Sequence, residues 1–524
     1  MRSSRVSSPK CLACSKKIDR TDMSQDEKDS TWLPPHLREL LGDVGSEKSR
    51  HVIKETLEST GKKIKTGRMG RAFGLSKVAL RGGSRWLVDK ARDSFSNEEE
   101  KQARSEQRGV EIATQMLKTF SEMRGAAMKI GQMLSYLDDM LPPEGQKILA
   151  LLQRDAAPMP YEKVTAQFQR DFGKPPEDLY QHFEPTPIAA ASIGQVHKAI
   201  LHDGTPVAVK VQYPGIKEAM EADLKNAKFL GLFQQVMFFR TDTKAIMNEI
   251  QERLIDECNY LKEAEYQQIF YDRFQEHPSI VVPQVHHDLC GEHILTTTFH
   301  DGLGFYEWLA TDPSQDARER VTKSFYRFYL GSFYLDGLFH CDPHPGNYTF
   351  LEDGRIVFFD YGCTRHFEES RRQLWIELCK AAMRDDRETF HKLAVPIGFF
   401  QEGQSYDREA FEGLIQYLYK PYLKDEPFDF RAHPPRDTFR EMFVENANLF
   451  KLNMPADAVF LNRIGFGLVS LLSEIGSPLH CTHYASSYFE GFDPDWPDDP
   501  HCVNANVKEI DKKMTTSSPS TKSS

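Results

Sequence analysis

Two short segments in the second half of the chain place acidic and amide side chains at a fixed spacing. The first, HCDPHPGN at residues 340–347, sets Asp342 and Asn347 five positions apart. The second, RIVFFDYG at residues 355–362, has the pattern of a strand that ends at Asp360 and a glycine turn. Phosphoryl transfer from a nucleotide uses one carboxylate near the acceptor hydroxyl, and an amide oxygen with a second carboxylate to hold magnesium. The spacing therefore predicts Asp342 near the acceptor, and Asn347 and Asp360 as ligands of Mg²⁺.

Upstream of these segments, a lysine lies in an apolar strand. Residues 189–215 contain short β-rich runs broken by a turn, which is the pattern of a hairpin. The second strand, VAVKV at 207–211, places Lys210 among apolar residues, where an unpaired buried ammonium group would be costly. Lys210 therefore needs a carboxylate or phosphate partner. A charged helix predicted over residues 248–268 offers two candidates, Glu257 and Glu263.

Apolar residues at helical spacing predict a long helix over residues 105–140 and another over 325–338. The first contains KIGQ, where three-residue spacing places Lys129 and Gln132 on one face. Gly131 costs a helix interior about 1 kcal/mol relative to alanine, which indicates that something packs closely against it. The alternative interpretation is an exposed lysine on a surface helix.

The composition favours an intracellular protein with several folded parts. A chain of 524 residues with 40% hydrophobic content exceeds the size at which a single core stops growing. The net charge of −11 argues against general nucleic-acid binding, for which basic domains are typical. The nine cysteines are scattered apart from Cys11 and Cys14, so reduced thiols are expected, and a zinc site would need a second such pair. The longest apolar stretch is far shorter than the ~20 residues of a membrane span.

Both ends of the chain are predicted to be disordered, because residues 1–60 and 506–524 are polar and lack sustained periodicity. Between 61 and 92, ten lysines and arginines face a single acid and alternate with apolar side chains. This pattern is typical of a segment that lies on an anionic membrane surface. A solvated positive face docked on the acidic remainder explains it equally well. The basic first twenty residues are compatible with a transit peptide or with a plain tail.

Three motifs in sequence order resemble those of one family. They are RGAAMKIGQMLS at residues 124–135, AAASIGQVHKA at 189–199 and HCDPHPGN, and they are similar to motifs of the UbiB/ADCK atypical kinase-like family. The resemblance implies an α+β, two-lobed protein kinase-like fold with a helical N-terminal extension. It divides the folded chain into the basic segment with this extension (61–160), an N-lobe (161–300) and a C-lobe (301–505).

The same resemblance implies roles for individual residues. Lys210 would contact the nucleotide phosphates and pair with Glu263. Asp342 would be the acid of the catalytic loop, and Asn347 and Asp360 would bind magnesium. The loop that cradles ATP would comprise Ala189, Ala190, Ala191, Ser192, Gly194 and Val196.

The extension carries the motif that is specific to the family. Lys129, Gly131 and Gln132 would fold over the cleft where a protein kinase admits a peptide. In the family this lysine meets an E-x-D motif, which here is Glu257-Cys258-Asn259, so one acid is replaced by an amide. Glu257 is therefore the expected partner of Lys129.

Departures from ordinary protein kinases limit the expected substrates. Ala189 and Ala191 occupy the first two glycine positions of a phosphate loop, where their β-carbons restrict positive φ and hold the backbone away from the phosphates. Cys341 stands where kinases regulated by activation-loop phosphorylation have arginine, and no A-P-E element follows Gly362. The parts that dock peptides are therefore expected to be missing.

The catalytic residues predict a magnesium-dependent ATP-binding enzyme that hydrolyses ATP or transfers its phosphoryl group to a small acceptor. The resemblance to the UbiB/ADCK family implies that this activity supports ubiquinone or other prenyl-lipid metabolism. Two alternatives are a small-molecule kinase of the aminoglycoside or choline kinase type and a non-catalytic, nucleotide-gated scaffold. The expected partners are ATP and ADP, a prenyl lipid, an anionic membrane surface and enzymes of quinone biosynthesis, with no nucleic acid. The expected location is intracellular and peripheral to a membrane, mitochondrial in a eukaryote or cytoplasmic in a bacterium.

Overall fold

The computed structural model describes residues 158–191, 193–224, 255–433, 448, 452–453, 455–496 and 499–500. Several predictions concern other parts of the chain: the basic segment at 61–92, the helix over 105–140 with Lys129, Gly131 and Gln132, Ser192 and both chain ends. These predictions lie outside the described residues.

An antiparallel sheet forms the first part of the described chain. Its strands are β1 (His182–Phe183), β2 (Ala189–Ala190), β3 (Gly194–Ile200), β4 (Pro206–Gln212) and β6 (Ile294–Thr298). Their order is β1-β3-β4-β6, with β2 also paired to β3, and β3 and β4 are the predicted hairpin. Helix α1 (Tyr161–Phe172) packs Val164 and Phe168 against the valines of β4. Because side chains alternate along a strand, Lys210 projects from the opposite face of the sheet.

Helix α3 (Tyr260–Phe274), which follows α2 (Ile216–Leu224) in the described chain, corrects one prediction. The charged segment 248–268 is not one continuous helix, because residues 257–258 form a turn. Asn259 then caps α3, since its side-chain oxygen accepts hydrogen bonds from the backbone N–H groups of Leu261 and Lys262. Glu263 therefore lies in the first turn of α3, whereas Glu257 precedes the helix.

The C-terminal part of the described chain is mainly helical. Its α-helices are α4 (Phe305–Ala310), α5 (Gln315–Tyr326), α6 (Glu369–Met383), α7 (Arg387–Ile397), α8 (Arg408–Leu418), α9 (Ala456–Ile475) and α10 (Cys481–Phe489). After α5, the segment Arg327–Asp336 continues as a π-helix, a rare form that is frequent at functional sites. It ends at Gly337, whose φ of 65° is left-handed. The helix predicted over 325–338 therefore stops at Asp336, and its last residue belongs to a strand instead.

Short strands hold the two acidic segments next to each other. β7 (Leu338–His340) pairs antiparallel with β10 (Thr364–His366). β9 (Ile356–Phe358) pairs antiparallel with β8 (Tyr348–Phe350) and parallel with β5 (Ile280–Val281). The strand predicted to end at Asp360 is therefore present but is only three residues long. Because β7 leads into Asp342 and β10 follows Asp360, their pairing brings both acids to one end of the ladder.

The described residues form two large apolar cores, and helix α3 contributes to the second. One core lies between α1 and the sheet, and the other fills the helical part of the chain and includes Phe270 and Phe274 of α3. The predicted two-lobed α+β kinase-like fold is confirmed, with α3 linking the lobes. Among the described helices, none combines the length and the apolar content needed to cross a bilayer.

Candidate functional site

Lys210 of β4 forms an ion pair with Glu263 of α3. Its Nζ lies 2.8 Å and 3.0 Å from the two carboxylate oxygens of Glu263, and 3.6 Å from Oδ1 of Asp360. The side chains of Lys210 and Glu263 are only 15% and 3% exposed, and Val196 of β3 lies opposite Lys210 in the sheet. Of the two glutamates that the strand pattern left open, Glu263 is the one in this ion pair, as the family resemblance implied.

The neighbouring acids keep Lys210 protonated. Burial alone would lower the pKa of Lys210, but the carboxylates of Asp360 and Glu263 outweigh burial and raise this pKa above its ordinary value. Burial also raises the pKa of Glu263, while Lys210 opposes that shift and Asp360 adds to it. Lys210 is therefore a fixed positive charge between the lobes, of the kind that binds a phosphate.

Asp360 has a strained backbone that a histidine holds in place. Its φ of 60° lies in the left-handed region, which residues other than glycine rarely enter. Nε2 of His340 donates a hydrogen bond to the Asp360 carbonyl oxygen at 2.7 Å, and Nδ1 accepts one from the Asp342 amide at 3.4 Å. Burial lowers the pKa of His340, so the ring stays neutral, as this pattern requires. Strain that the surrounding structure maintains in this way is typical of functional sites.

Hydrogen bonds within the HCDPHPGN loop fix its shape. Asp342 is 5% exposed, and its carbonyl oxygen accepts hydrogen bonds from Asn347 Nδ2 at 3.1 Å and from the Tyr329 hydroxyl at 3.4 Å. The segment Pro345–Asn347 forms a single turn of 3₁₀-helix that the His344 side chain caps. Because the side-chain nitrogen of Asn347 donates a hydrogen bond within the loop, the side-chain oxygen is the atom that could bind a cation.

Asp360 and Asn347 carry oxygen atoms of the kind that would suit a magnesium ion bound together with a nucleotide. The amide of Phe359 donates to the Asn347 carbonyl oxygen at 3.0 Å, which places Asn347 beside the residue that precedes Asp360. Within the part of the chain that the structure describes, no group of three or more His, Cys, Asp or Glu side chains is arranged to hold a metal ion. Mg²⁺ does not need such a cage, because it is usually bound through one or two carboxylates, substrate phosphates and waters.

The alanine-rich loop forms a tight turn on the edge of the sheet. Ala189 and Ala190 pair with β3, and the Ala191 amide donates to the Gly194 carbonyl oxygen at 2.9 Å. None of these three alanines has a positive φ, so the turn tolerates β-carbons at these positions. The contact of this loop with a nucleotide stays a prediction.

Gly194 is needed for close packing rather than for a left-handed backbone. A Cβ atom at this position would lie 2.4 Å from the Val211 carbonyl oxygen and 2.9 Å from the Tyr260 hydroxyl. The carbonyl belongs to β4, so it moves only with the strand that carries Lys210. The third glycine of the loop is therefore explained by its neighbours in β4 and α3.

We expect Gly194→Ala to lower the free energy of unfolding by about 1–3 kcal/mol, the usual cost of overpacking a core. Chemical denaturation measures this change. Gly413→Ala is the matched control, since a Cβ there meets no atom within 4 Å and alanine is the better helix former. Equal stability of the two variants would contradict the packing role of Gly194.

Buried glutamines hold the turn that carries Glu257. Gln212 of β4 donates from Nε2 to the Cys258 carbonyl oxygen at 2.9 Å, and Gln167 of α1 donates to the Gln212 carbonyl oxygen, also at 2.9 Å. Glu257 is 5% exposed; burial raises the pKa of Glu263, and the negative charge of Glu257 adds to that shift. The expected partner, Lys129, is outside the described residues, and this contact stays a prediction.

Sequence reasoning missed three residues that shape the site: Tyr329, His340 and Gln212. His340 had a local signal, because it stands two positions before Asp342 in the same motif. Tyr329 belongs to an apolar helical segment and Gln212 ends an apolar strand, so neither differs locally from an ordinary core or edge residue. Only the packing reveals their contacts.

The structure thus brings four features together between two lobes. They are Lys210 on strand β4, Glu263 on helix α3, Asp360 with its left-handed backbone, and the HCDPHPGN loop. Together these features define the class of protein kinase-like folds. The family model of the ABC1 atypical kinase-like domain matches residues 151–394. The chain belongs to this ABC1 family, which the UbiB/ADCK motifs had indicated.

Individual relatives show how far the similarity extends. An uncharacterized protein of Synechocystis is 30% identical over 359 residues, which cover 65% of this chain and 85% of the relative. The mitochondrial atypical kinase COQ8 of Saccharomyces cerevisiae is 30% identical over 382 residues, which cover 71% of this chain and 74% of COQ8. The structure is also similar to that of Rv3197 from Mycobacterium tuberculosis, solved in complex with erythromycin. That likeness has a TM-score of 0.52 and 26% identity, and it covers 74% of this chain and 97% of the other.

Proposed function

We propose that this protein is a magnesium-dependent ATP-binding enzyme that hydrolyses ATP, or transfers its phosphoryl group to a small acceptor, in support of ubiquinone or related prenyl-lipid metabolism. One observation carries the proposal: the buried ion pair of Lys210 and Glu263, at 2.8 Å, lies beside the strained Asp360. The similarity to COQ8 of yeast and COQ8B of rat, both atypical kinases, supports the metabolic setting.

Each residue of the site has a role in this proposal. Lys210 would bind nucleotide phosphates, and Glu263 would hold its ammonium group in position. Asp360 and the amide oxygen of Asn347 would hold magnesium, which when bound would neutralise charge on the phosphates. Asp342 would orient the attacking water or acceptor hydroxyl and accept its proton.

We extend the proposal to the partners and the location of the protein. The basic segment at 61–92 would bind an anionic membrane surface, where a prenyl lipid and enzymes of quinone biosynthesis would be within reach. The COQ8 relatives of yeast and rat are mitochondrial, which supports a mitochondrial location in a eukaryotic cell. In a bacterial cell the protein would be cytoplasmic and peripheral to the membrane.

ATP with Mg²⁺ is expected to stabilise the full chain against thermal unfolding, by about 2.7 kcal/mol at 100 times its Kd. An excess of EDTA should remove most of this stabilisation, because Asp360 and Asn347 contact the nucleotide through the metal ion. Differential scanning fluorimetry with ATP, ATP–Mg²⁺ and ATP–EDTA measures both effects. Equal stabilisation in EDTA would contradict the metal ligands, and no stabilisation at all would contradict the nucleotide function.

A further inference from the structure

A buried charge network joins the end of helix α3 to the last described residues of the chain. Arg273, in the last turn of α3, donates from Nε to Oδ1 of Asp336 at 2.8 Å. Its Nη1 and Nη2 donate to the two carboxylate oxygens of Asp499 at 2.8 Å and 2.5 Å. The side chains of Arg273 and Asp499 are 6% and 0% exposed. A buried, bidentate ion pair of this kind fixes the relative position of its two side chains. The loss of either partner leaves the other as an uncompensated buried charge.

A second arginine ties the same network to the segment before the catalytic loop. Arg327 donates from Nε to Oδ2 of Asp493 at 2.7 Å and lies 3.4 Å from Oδ2 of Asp336. Arg327 and Asp336 are the first and last residues of the π-helix, and β7 and Asp342 follow directly. Asp336 therefore connects α3, through Arg273, to the segment that leads into the HCDPHPGN loop.

Trp496 completes the contacts from the C-terminal side. Its ring centroid lies 5.4 Å from the Arg273 guanidinium and 4.9 Å from the ring of His277. Burial lowers the pKa of His277 to about 2, and the two arginines add to this shift, so His277 brings no charge. We name Asp493, Trp496 and Asp499 the C-terminal clasp. All three lie well beyond the region that the ABC1 family model matches.

The two ends of α3 make different contacts. Glu263 is in its first turn and pairs with Lys210, whereas Arg273 lies ten residues later, about 15 Å along the helix axis. A helix is stiff over this length, so holding Arg273 also sets the position of Glu263. Phe270 and Phe274 pack the same end into the core of the helical lobe.

We propose that the C-terminal clasp positions the nucleotide site: by holding Arg273, it keeps α3 where Glu263 reaches Lys210. Asp499 and Asp493 are then positioning residues that act through α3 and the π-helix, without touching the nucleotide. The inference rests on the proposed nucleotide function of Lys210. It assigns a role in that site to residues at the far end of the chain.

The test compares Asp499→Asn with Asp457→Asn in the full chain. Asp457 is the matched control, because it accepts hydrogen bonds from Arg371 and Trp375 in the helical lobe. We expect Asp499→Asn to raise the Kd for ATP–Mg²⁺ about tenfold, which is about 1.4 kcal/mol, because a misplaced Lys210 loses much of its charged hydrogen bond to the phosphates. Asp457→Asn should change it less than about twofold, although both variants lower the unfolding temperature. Asp499→Glu, which keeps the charge, should recover most of the affinity.

Two further measurements separate positioning from general destabilisation. In a double-variant cycle, Asp499→Asn should add little to Glu263→Gln, because both remove the same contact with Lys210. Hydrogen exchange of the amides in residues 260–264 should be faster in Asp499→Asn than in Asp457→Asn, and Arg273→Lys provides a milder second variant. Additive effects in the cycle, or equal exchange at 260–264 in the two Asn variants, would overturn the proposal. Hydrogen exchange does not depend on ATP, so it still decides the coupling if the wild type fails to bind nucleotide.

Discussion

Asp342→Asn is expected to lower ATP turnover about 100-fold or more, the usual contribution of a positioned general base, while ATP affinity changes little. The substitution keeps the shape of the side chain and leaves Lys210, Asn347 and Asp360 in place. The carbonyl oxygen of Asp342, which anchors the loop through Asn347 and Tyr329, is also unchanged. Release of ADP under single-turnover conditions, together with calorimetric titration of ATP–Mg²⁺, measures the two quantities separately.

Asp353→Asn is the control for this experiment. Asp353 is an exposed acid that pairs with Arg355 two residues away in the turn before β9. Its replacement should leave turnover unchanged. Wild-type turnover in Asp342→Asn would contradict the catalytic role of Asp342. Lost turnover with full biological function in cells would favour the nucleotide-gated scaffold over the enzyme.

Lys210→Met is expected to weaken ATP binding about 10- to 100-fold, because a charged hydrogen bond contributes about 1.5–3 kcal/mol. The variant also leaves Glu263 buried beside Asp360 without the ammonium group that separates their charges. We therefore expect a loss of stability in addition to the loss of affinity. Calorimetric titration with ATP–Mg²⁺ and chemical denaturation measure these effects.

Lys198→Met on the neighbouring strand is the matched control. Lys198 lies over the ring of Phe299, with Nζ 4.4 Å from its centroid, and is half-buried. Its replacement should leave ATP affinity within about twofold of the wild type, since it removes only a modest cation–π contact. In the Lys210→Met background, Glu263→Gln should recover stability, because it removes the unpaired buried charge. Unchanged ATP affinity in Lys210→Met would show that Lys210 is purely structural.

The sequence by itself determined the order of the motifs and much of the local structure. The apolar alternation around Lys210 predicted the strand and its need for an anion, and the β3–β4 hairpin is present as expected. The same patterns did not predict where helices begin and end. Apolar and charged periodicity ran through residues 257–259, where a turn interrupts the helix and the Asn259 side chain caps the next one. Periodicity averages over a window, whereas a cap depends on one side chain and two amides.

Only the tertiary structure decided which distant groups meet. It selected Glu263 for Lys210 across 53 positions, linked Asp342 to Asp360 through His340, and paired Arg273 with Asp499 across 226 positions. It also explained Gly194 by the backbone of β4 rather than by its own conformation. Sequence spacing encodes contacts along one helix or strand, since those follow fixed periods of 3.6 and 2 residues. Contacts between elements depend on how the faces of helices and sheets pack against each other. That packing is determined by the burial of apolar side chains in the two cores.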